Sequence, residues 1–279
     1  MIYEINLFDN AFRHLTTPDG KYSMVHGKTP KNMKYIRNEM NYDGLTMFTD
    51  DCIYMPYIDD IKSKYKAAWL LEPRALQPII YDRIITVIEK YDFIFTHDKQ
   101  LINDYPTKAK FVPFGGCWIQ DENQKIHNKT KNISMIYSNK TFMAGHMMRH
   151  RVADMVKGID LFGNGSKTPI EFKEEGLCDY RFSVVIENID TQTWFTEKLL
   201  DCFATGTIPL YWGTPDIGDY FNLDGMIKFR SINELSEIIL KLSDDDYNNR
   251  LDAVRDNFER FKQYEITEDW ICDNILEEL

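Results

Sequence analysis

Residues 182–186 (FSVVI) are a short β-branched and aromatic run, and a second such run, residues 208–212 (IPLYW), follows it after a stretch of different period. Between them, Phe195, Leu199 and Phe203 recur every four residues, which predicts a helix over 194–205, and Gly206 stands where a left-handed cap would end it. Gly213-Thr214-Pro215 supplies the turn after the second run. Two strands joined by a helix of this length pair in parallel, and such a unit binds its ligand at the carboxyl end of the first strand. Glu187, Asn188, Trp194, Thr196, Glu197 and Lys198 crowd polar and charged groups onto that junction, so the chemistry is expected between Glu187 and Lys198.

On a helix starting near Trp194, residues 194, 197 and 198 share the amino-terminal flank. Unpaired N–H groups and the positive dipole end favour a phosphate there, and Lys198 adds a compact full charge. Glu197 cannot ligate phosphate; its carboxylate suits sugar or ribose hydroxyls, while Trp194 suits an apolar ring face. The plain alternative is an exposed charged first turn with ordinary capping. Arg149, His150 and Arg151 stand together at an expected helix start, where either arginine fits a bidentate phosphate clamp. His146 and His150 are spaced four apart but have no third ligand, so no metal site is expected. Gly163-Asn164-Gly165 is a lone GxG that a turn explains equally well, and Asp50-Asp51 lacks the separated pair of a metal-binding DxD.

Elements alternate along the whole chain. Residues 2–7, 45–48, 67–71, 93–96 and 110–112 read as strands, with helical stretches such as 79–89 between them, the pattern of a parallel sheet covered by helices. A second series has strands expected at 133–137, 159–162, 182–186, 208–212 and 226–229. Residues 120–132 (QDENQKIHNKTKN) are polar without apolar period and make the best linker candidate. The expectation is two Rossmann-like α/β domains, residues 1–125 and 126–262, facing each other across a cleft. A helical tail at 263–279 either crosses back onto the first domain or packs on the second. Ser231 with Glu234 and Ser243 with Asp246 have capping-box spacing, and Trp270, Ile271, Ile275 and Leu276 give the last helix an apolar face.

With 43% hydrophobic and 28% charged residues the chain is globular, and its net charge of -11 argues against a general binder of nucleic acid or anionic membrane. A local basic patch for a diphosphate remains compatible with that charge. No run approaches the length of a transmembrane helix, and MIYEINLF has no basic region ahead of a long apolar core, so a soluble cytoplasmic protein is expected. The 5 cysteines are odd in number and scattered, which suits reduced thiols.

The motifs also carry a family resemblance. ENI, a short spacer and WFTEKLLDCFATGTIPLYWG resemble the donor-site signature of the α-1,3-fucosyltransferases, glycosyltransferase family 10, whose usual form is ENS or ENT, a spacer, YVTEK, a helix and a strand ending in a glycine turn. ISMIYSNK at 133–140 resembles the family's strand-plus-SN segment, RHRVADMV at 149–156 its arginine-led helix, and GIDLFGNG at 158–165 its DxYG strand and turn. The resemblance covers the second half of the chain, and the first half through its layout and one carboxylate. It implies the GT-B architecture and a soluble bacterial or viral type of enzyme. It further implies inverting transfer of fucose or a related sugar from a GDP-sugar to an oligosaccharide or lipid-linked glycan; a bound metal need not be required, because protein cations can neutralise the diphosphate.

Residue by residue, the resemblance carries Asn188, Trp194, Glu197 and Lys198 onto donor-binding positions, with Glu187, Ser138 and Asn139 beside them, and Arg149 onto the arginine that contacts the diphosphate. Trp194 stands where the family usually has tyrosine. Glu72, in KAAWLLEPR at the end of the strand expected at 67–71, resembles in context the family's TGENESP-like segment, where the proposed catalytic base lies. A loop carboxylate paired with Arg74 is the competing reading. Other readings of the chain are a relative using another nucleotide sugar, a DNA-glucosylating enzyme, which the acidic charge disfavours, and a catalytically silent glycan- or nucleotide-binding protein.

Overall fold

A run such as Leu45-Thr-Met-Phe48, with hardly a polar side chain, is buried only by a sheet covered on both faces. The computed structural model, which describes residues 2–10, 23–25 and 28–278, places it in such a sheet. The strands are β1 (Tyr3–Phe8), β2 (Met33–Arg37), β3 (Asn41–Thr49), β4 (Lys62–Trp69), β5 (Phe93–Thr96) and β6 (Ala109–Phe111), all parallel in the order β2-β1-β3-β4-β5-β6. Helix α1 (Pro78–Val87) joins β4 to β5, and α2 (Lys99–Asp104) joins β5 to β6. Phe48, Ala68, Leu70 and Ile94 share a core with Ile80, Tyr81 and Ile84 of α1. Strand β2 is absent from the sequence expectation because it is an edge strand, burying Met33 and Tyr35 and carrying Lys34 and Arg37 in the remaining positions.

The second sheet is β7 (Lys131–Ile136), β8 (Asp160–Phe162), β9 (Tyr180–Ile186), β10 (Ile208–Trp212) and β11 (Ile227–Lys228), again all parallel, in the order β11-β10-β9-β7-β8. Helix α3 (Ala144–Met155) follows β7 and α4 (Glu197–Thr205) follows β9. Gly206 caps α4 at φ 71, a left-handed conformation that glycine adopts without strain. Helices α5 (Ile232–Lys241), α6 (Asp244–Asn248) and α7 (Leu251–Phe261) complete this unit; the Ser231 hydroxyl accepts the Glu234 N–H, and Ser243 with Asp246 forms a full capping box. In both sheets the connections leave one strand toward opposite edges, so each has a topological switch point, between β1 and β3 in the first and between β7 and β9 in the second.

The chain divides into Met1–Phe114 with Ile266–Leu279, here unit 1, and Gly115–Glu265, unit 2. The boundary expected at 125/126 is therefore moved to 114/115, and the proposed linker at 120–132 is part of unit 2. Its polar residues lack an apolar period because they bond to that unit. Gln120 N–H donates to Glu174 Oε1 (2.6 Å), Gln124 Nε2 to Glu265 Oε1 (2.5 Å) and His127 N–H to the Thr205 carbonyl (3.3 Å). Lys129, 7% exposed, spends its ammonium on the carbonyls of Leu177, Cys178 and Thr205 and on Thr207 Oγ1. Lys131 and Asn132 already belong to β7.

The tail belongs to unit 1. Helix α8 (Thr267–Asn274) and the residues after it put Ile271, Cys272, Ile275 and Leu276 into the core formed by Ile5, Leu7, Met47, Ala67, Trp69 and Phe95. Glu268, fully buried, takes the Ser23 hydroxyl on Oε2 and the Met24 N–H on Oε1, both at 2.7 Å. Burial pushes its carboxyl up from 4.5 to about 7, with the hydrogen bonds from Ser23 and Met24 opposing. The folded chain thus keeps a proton that the unfolded chain releases above the usual carboxylate value. This stabilisation is complete at low pH and is lost as pH rises through about 7. Glu268→Gln imitates the protonated side chain and should raise the Tm at pH 8 relative to the unmodified chain, with a gain on the order of 1–3 kcal/mol that vanishes near pH 5. A Tm difference that is the same at both pH values would show that Glu268 does not titrate in this range.

Candidate active site

Strand β9 ends at Ile186, and the two residues after it organise the site. Glu187 is 0% exposed; its Oε1 accepts the Thr196 N–H (2.9 Å), and both its oxygens accept the Thr196 hydroxyl (3.1 and 2.9 Å) as bifurcated contacts. Thr196 is extended (φ -132, ψ -176) and its hydroxyl faces the Lys198 N–H at 3.4 Å, so it is the N-cap and Glu197 opens α4. The helix start expected near Trp194 is corrected by this cap: Trp194 and Phe195 fit the apolar period but precede the helix. Trp194 is also 1% exposed, so its ring is packed as core and does not present a face to a ligand. Thr193, just before it, has φ 62, an unusual conformation for a β-branched residue, and is held by its N–H to Asp216 Oδ1 (2.9 Å).

Around the start of α4 three carboxylates meet three cations. Lys198 Nζ lies 2.9 Å from Thr196 Oγ1, 3.2 Å from Glu197 Oε1 and 3.5 Å from Glu187 Oε2. Glu197 also faces Lys173 at 3.7 Å, and Lys173 bonds Asp201 Oδ2 at 2.6 Å. Asp201 Oδ1 in turn accepts the Trp118 N–H (2.7 Å), and Lys173 lies over the Trp118 ring at 4.3 Å. Burial opposes the charge on Glu197, but Lys198 and Lys173 outweigh it and hold the carboxyl down at about 2. Burial likewise works against Lys173, and the facing Asp201 and Glu197 keep it charged, above its ordinary value. Lys173 and Asp201 were not among the sequence candidates. Asp201 had a signal, one helical turn after Glu197 on the same face; Lys173 is local to nothing in the motif.

The third cation is Arg149. Helix α3 begins at Ala144, so Arg149 lies in its second turn rather than at its start. It is 5% exposed, and its Nε (2.8 Å) and Nη2 both donate to the Ile186 carbonyl, Nη2 also to Asn188 Oδ1 (2.9 Å). In place of the open phosphate clamp expected from sequence, these bonds fix the end of β9 and the Asn188 side chain. Gly145 N–H donates to the Asn188 carbonyl (3.1 Å) and seals the same contact. His146 accepts the Met143 N–H on Nδ1, and burial, with Arg149 next, brings it down to about 4 and keeps it neutral. Ser138 and Asn139 follow β7 on the other side of the switch point; Ser138 is half-buried, with Oγ facing the Lys140 N–H at 3.4 Å, and Asn139 is exposed.

The geometry thus gathers Glu187, Asn188, Glu197, Lys198 and Arg149 at the carboxyl end of β9, beside Ser138 and Asn139 at the carboxyl end of β7. Glu72 belongs to unit 1. Strand β4 ends at Trp69, so Glu72 stands in the following turn instead of at the strand end. Its carbonyl accepts the Tyr81 hydroxyl (2.8 Å), and the preceding Leu71 N–H is held by Asp50 Oδ1 (3.0 Å). Arg74, weighed from sequence as a partner of Glu72, makes a two-pronged bond to Asp98 (3.1 and 2.9 Å). Among the described residues no group of three or more His, Cys, Asp or Glu is placed to hold a metal ion, and no helix is long and apolar enough to cross a membrane.

Comparison with known proteins gives this site a context. A sequence model described as glycosyltransferase family 10 (fucosyltransferase), C-terminal part, matches residues 126–274, more than half of the chain. An α-(1,3)-fucosyltransferase of Helicobacter pylori is 31% identical over 70 residues, and an α-(1,4)-fucosyltransferase of Arabidopsis thaliana is 33% identical over 72. Each match covers 25% of this chain, and only 15% and 18% of those relatives. A crystal structure of an α1,3-fucosyltransferase with GDP aligns over 98% of this chain and 90% of its own, at a TM-score of 0.57 and 16% identity. The glycosyltransferase TarM aligns over 81% of this chain and 55% of its own, at 0.53 and 12%. At these identities the structures speak for the fold, which is that of the GT-B glycosyltransferases. The chain belongs to glycosyltransferase family 10.

Proposed function

We propose that the protein is an inverting glycosyltransferase that moves fucose, or a closely related sugar, from a GDP-sugar to a hydroxyl of a glycan. The observation that carries this reading is the charge-balanced start of α4 at the β7/β9 switch point. A helix end with Lys198 on its first turn suits a diphosphate, and Glu197, held ionised, suits the ribose or sugar hydroxyls. A diphosphate arriving there competes with Glu187 and Glu197 for the ammonium of Lys198, while Arg149 keeps Asn188 and the β9 end in place and adds positive potential.

In the transfer itself, the acceptor oxygen forms a bond to the anomeric carbon as the bond from that carbon to the diphosphate breaks, and GDP leaves with the electron pair. Glu72 takes the acceptor's proton. Charge growing on the leaving diphosphate is met by the Lys198 ammonium and the N–H dipoles at the start of α4, both fixed before the reaction begins, without a required metal ion in this reading. Family membership and the GDP complex of the structurally similar enzyme support the choice of donor.

The donor assignment is tested by binding. GDP should protect the protein against thermal unfolding more than UDP does. Lys198→Met, which keeps the apolar stem, should weaken GDP binding by about tenfold to a hundredfold, the usual cost of 1.5–3 kcal/mol for a lost charge-assisted bond. An unaltered Kd for GDP in a folded variant would remove the diphosphate from this helix end.

A further inference from the structure

Lys173 stands in the turn before β9, outside the motif that surrounds the start of α4, yet its ammonium reaches the same cluster. Its shortest bond is to Asp201 Oδ2 (2.6 Å), and it lies 3.7 Å from Glu197 Oε1, the oxygen that Lys198 also approaches, at 3.2 Å. Two cations therefore converge on one carboxylate oxygen. The side chains of Glu197, Lys173 and Asp201 are 12%, 18% and 1% exposed, so water and salt screen these charges little. Asp201 does not rely on Lys173 alone, because its Oδ1 holds the Trp118 N–H (2.7 Å). The Trp118 ring backs the ammonium at 4.3 Å, a favourable seat for a cation. Burial works against the charge on Lys173, and Asp201 and Glu197 outweigh it.

The charges around α4 balance only while Lys198 stays with its carboxylates. A diphosphate that draws the Lys198 ammonium away leaves Glu187 with the Thr196 N–H and hydroxyl. Glu197, by contrast, would become a poorly solvated carboxylate beside an incoming anion, and its attraction for Lys198 opposes the release. We propose that Lys173 is a positioning residue for the donor: it takes over Glu197 as counter-ion and so frees Lys198 for the diphosphate. The proposal rests on the donor placement given above, and adds to it a second lysine that touches no part of the donor. The exchange moves no proton, because Glu197 stays ionised throughout. It also needs little motion. An approach of about 1 Å turns the 3.7 Å contact between Lys173 and Glu197 into a full charge-assisted bond. Asp201 meanwhile keeps the Trp118 N–H and shares the ammonium.

Calorimetric titration with GDP tests the exchange. Lys173→Met alone would strand the buried Asp201 carboxylate and endanger the fold, so the comparison is made in Asp201→Asn, whose side-chain oxygen still accepts the Trp118 N–H. Asp201→Asn by itself leaves Lys173 wholly to Glu197 and should bind GDP at least as tightly as the unmodified chain. Adding Lys173→Met should weaken GDP binding about tenfold, and Lys173→Arg in the same background should restore it to within about threefold. The weakening should depend on the Glu197 carboxylate: with Glu197→Gln also present, Lys173→Met should change the Kd by less than about twofold. A merely structural lysine would not show that dependence. An equal Kd with and without Lys173→Met, in a protein whose GDP binding still falls on Lys198→Met, would overturn the exchange and leave the donor placement standing. A loss that persists undiminished beside Glu197→Gln would overturn it as well, since Lys173 would then act on the donor directly or through the fold. Failure of the unmodified chain to bind GDP would bring down the donor placement and the exchange together.

Discussion

Glu72→Gln should leave GDP binding within about twofold of the unmodified enzyme and lower transfer to the acceptor by roughly 10²–10⁴-fold, because glutamine keeps the shape and hydrogen-bonding capacity of the side chain but cannot take a proton. The backbone around it is held by other groups. The Leu71 N–H is held by Asp50, the Glu72 carbonyl by Tyr81, and Arg74 is occupied by Asp98, so none of these bonds depends on the Glu72 carboxylate. Single-turnover transfer, with chemistry limiting, is the measurement. Transfer at close to the unmodified rate would return Glu72 to a structural role and direct the search to other carboxylates of unit 1. Collapse of GDP binding with transfer would mean that the variant had disturbed the fold, and would count against the base assignment.

Gly145→Ala should damage unit 2 and its site together. A Cβ at that position would press into the Glu187 carbonyl group, 2.9 Å from its carbon, and stand 3.0 Å from the carbonyl carbon of Asn188. Both obstacles are backbone at the end of a buried strand and cannot swing aside. Helix α3 would have to lift, breaking the Gly145 bond to Asn188 and straining the Arg149 bonds to Ile186. Overpacking of this kind costs about 1–3 kcal/mol and more when backbone is the obstacle. The Tm should fall by roughly 2–12 °C, and GDP binding should weaken with it, because the displaced turn carries Glu187 and Asn188. A variant with unchanged Tm and GDP affinity would show that α3 does not rest on that turn as described.

The sequence displayed the strands of both sheets well because a parallel sheet buries its central strands on two faces, and such runs contain little else than apolar residues. Residues 93–96 and 208–212 come out at their expected bounds. Where a strand lies at an edge, as β2 does, charged residues such as Lys34 and Arg37 interrupt the apolar run and the signal fades. The grouping of Glu187, Asn188, Glu197 and Lys198 was legible because they share one local junction. The site was illegible where a partner comes from elsewhere, as Lys173 does, and where a side chain with ligand-binding chemistry is buried, as for Trp194 and Arg149. Polarity misled at residues 120–132, since a polar segment whose donors bond to carboxylates and backbone carbonyls looks in sequence like one bonded to water.

The two stretches that form unit 1 are separated in the chain by the whole of unit 2. During synthesis, Ile271, Cys272, Ile275 and Leu276 leave the ribosome after every residue of the contiguous unit has been made, a delay on the order of ten seconds at ~5–20 residues per second. Unit 2 can close first, reversing the usual amino-terminal lead. Meanwhile Ile5, Leu7, Met47 and Trp69 wait without the tail residues that complete their core, so apolar surface of the newborn amino-terminal stretch stays exposed until synthesis ends.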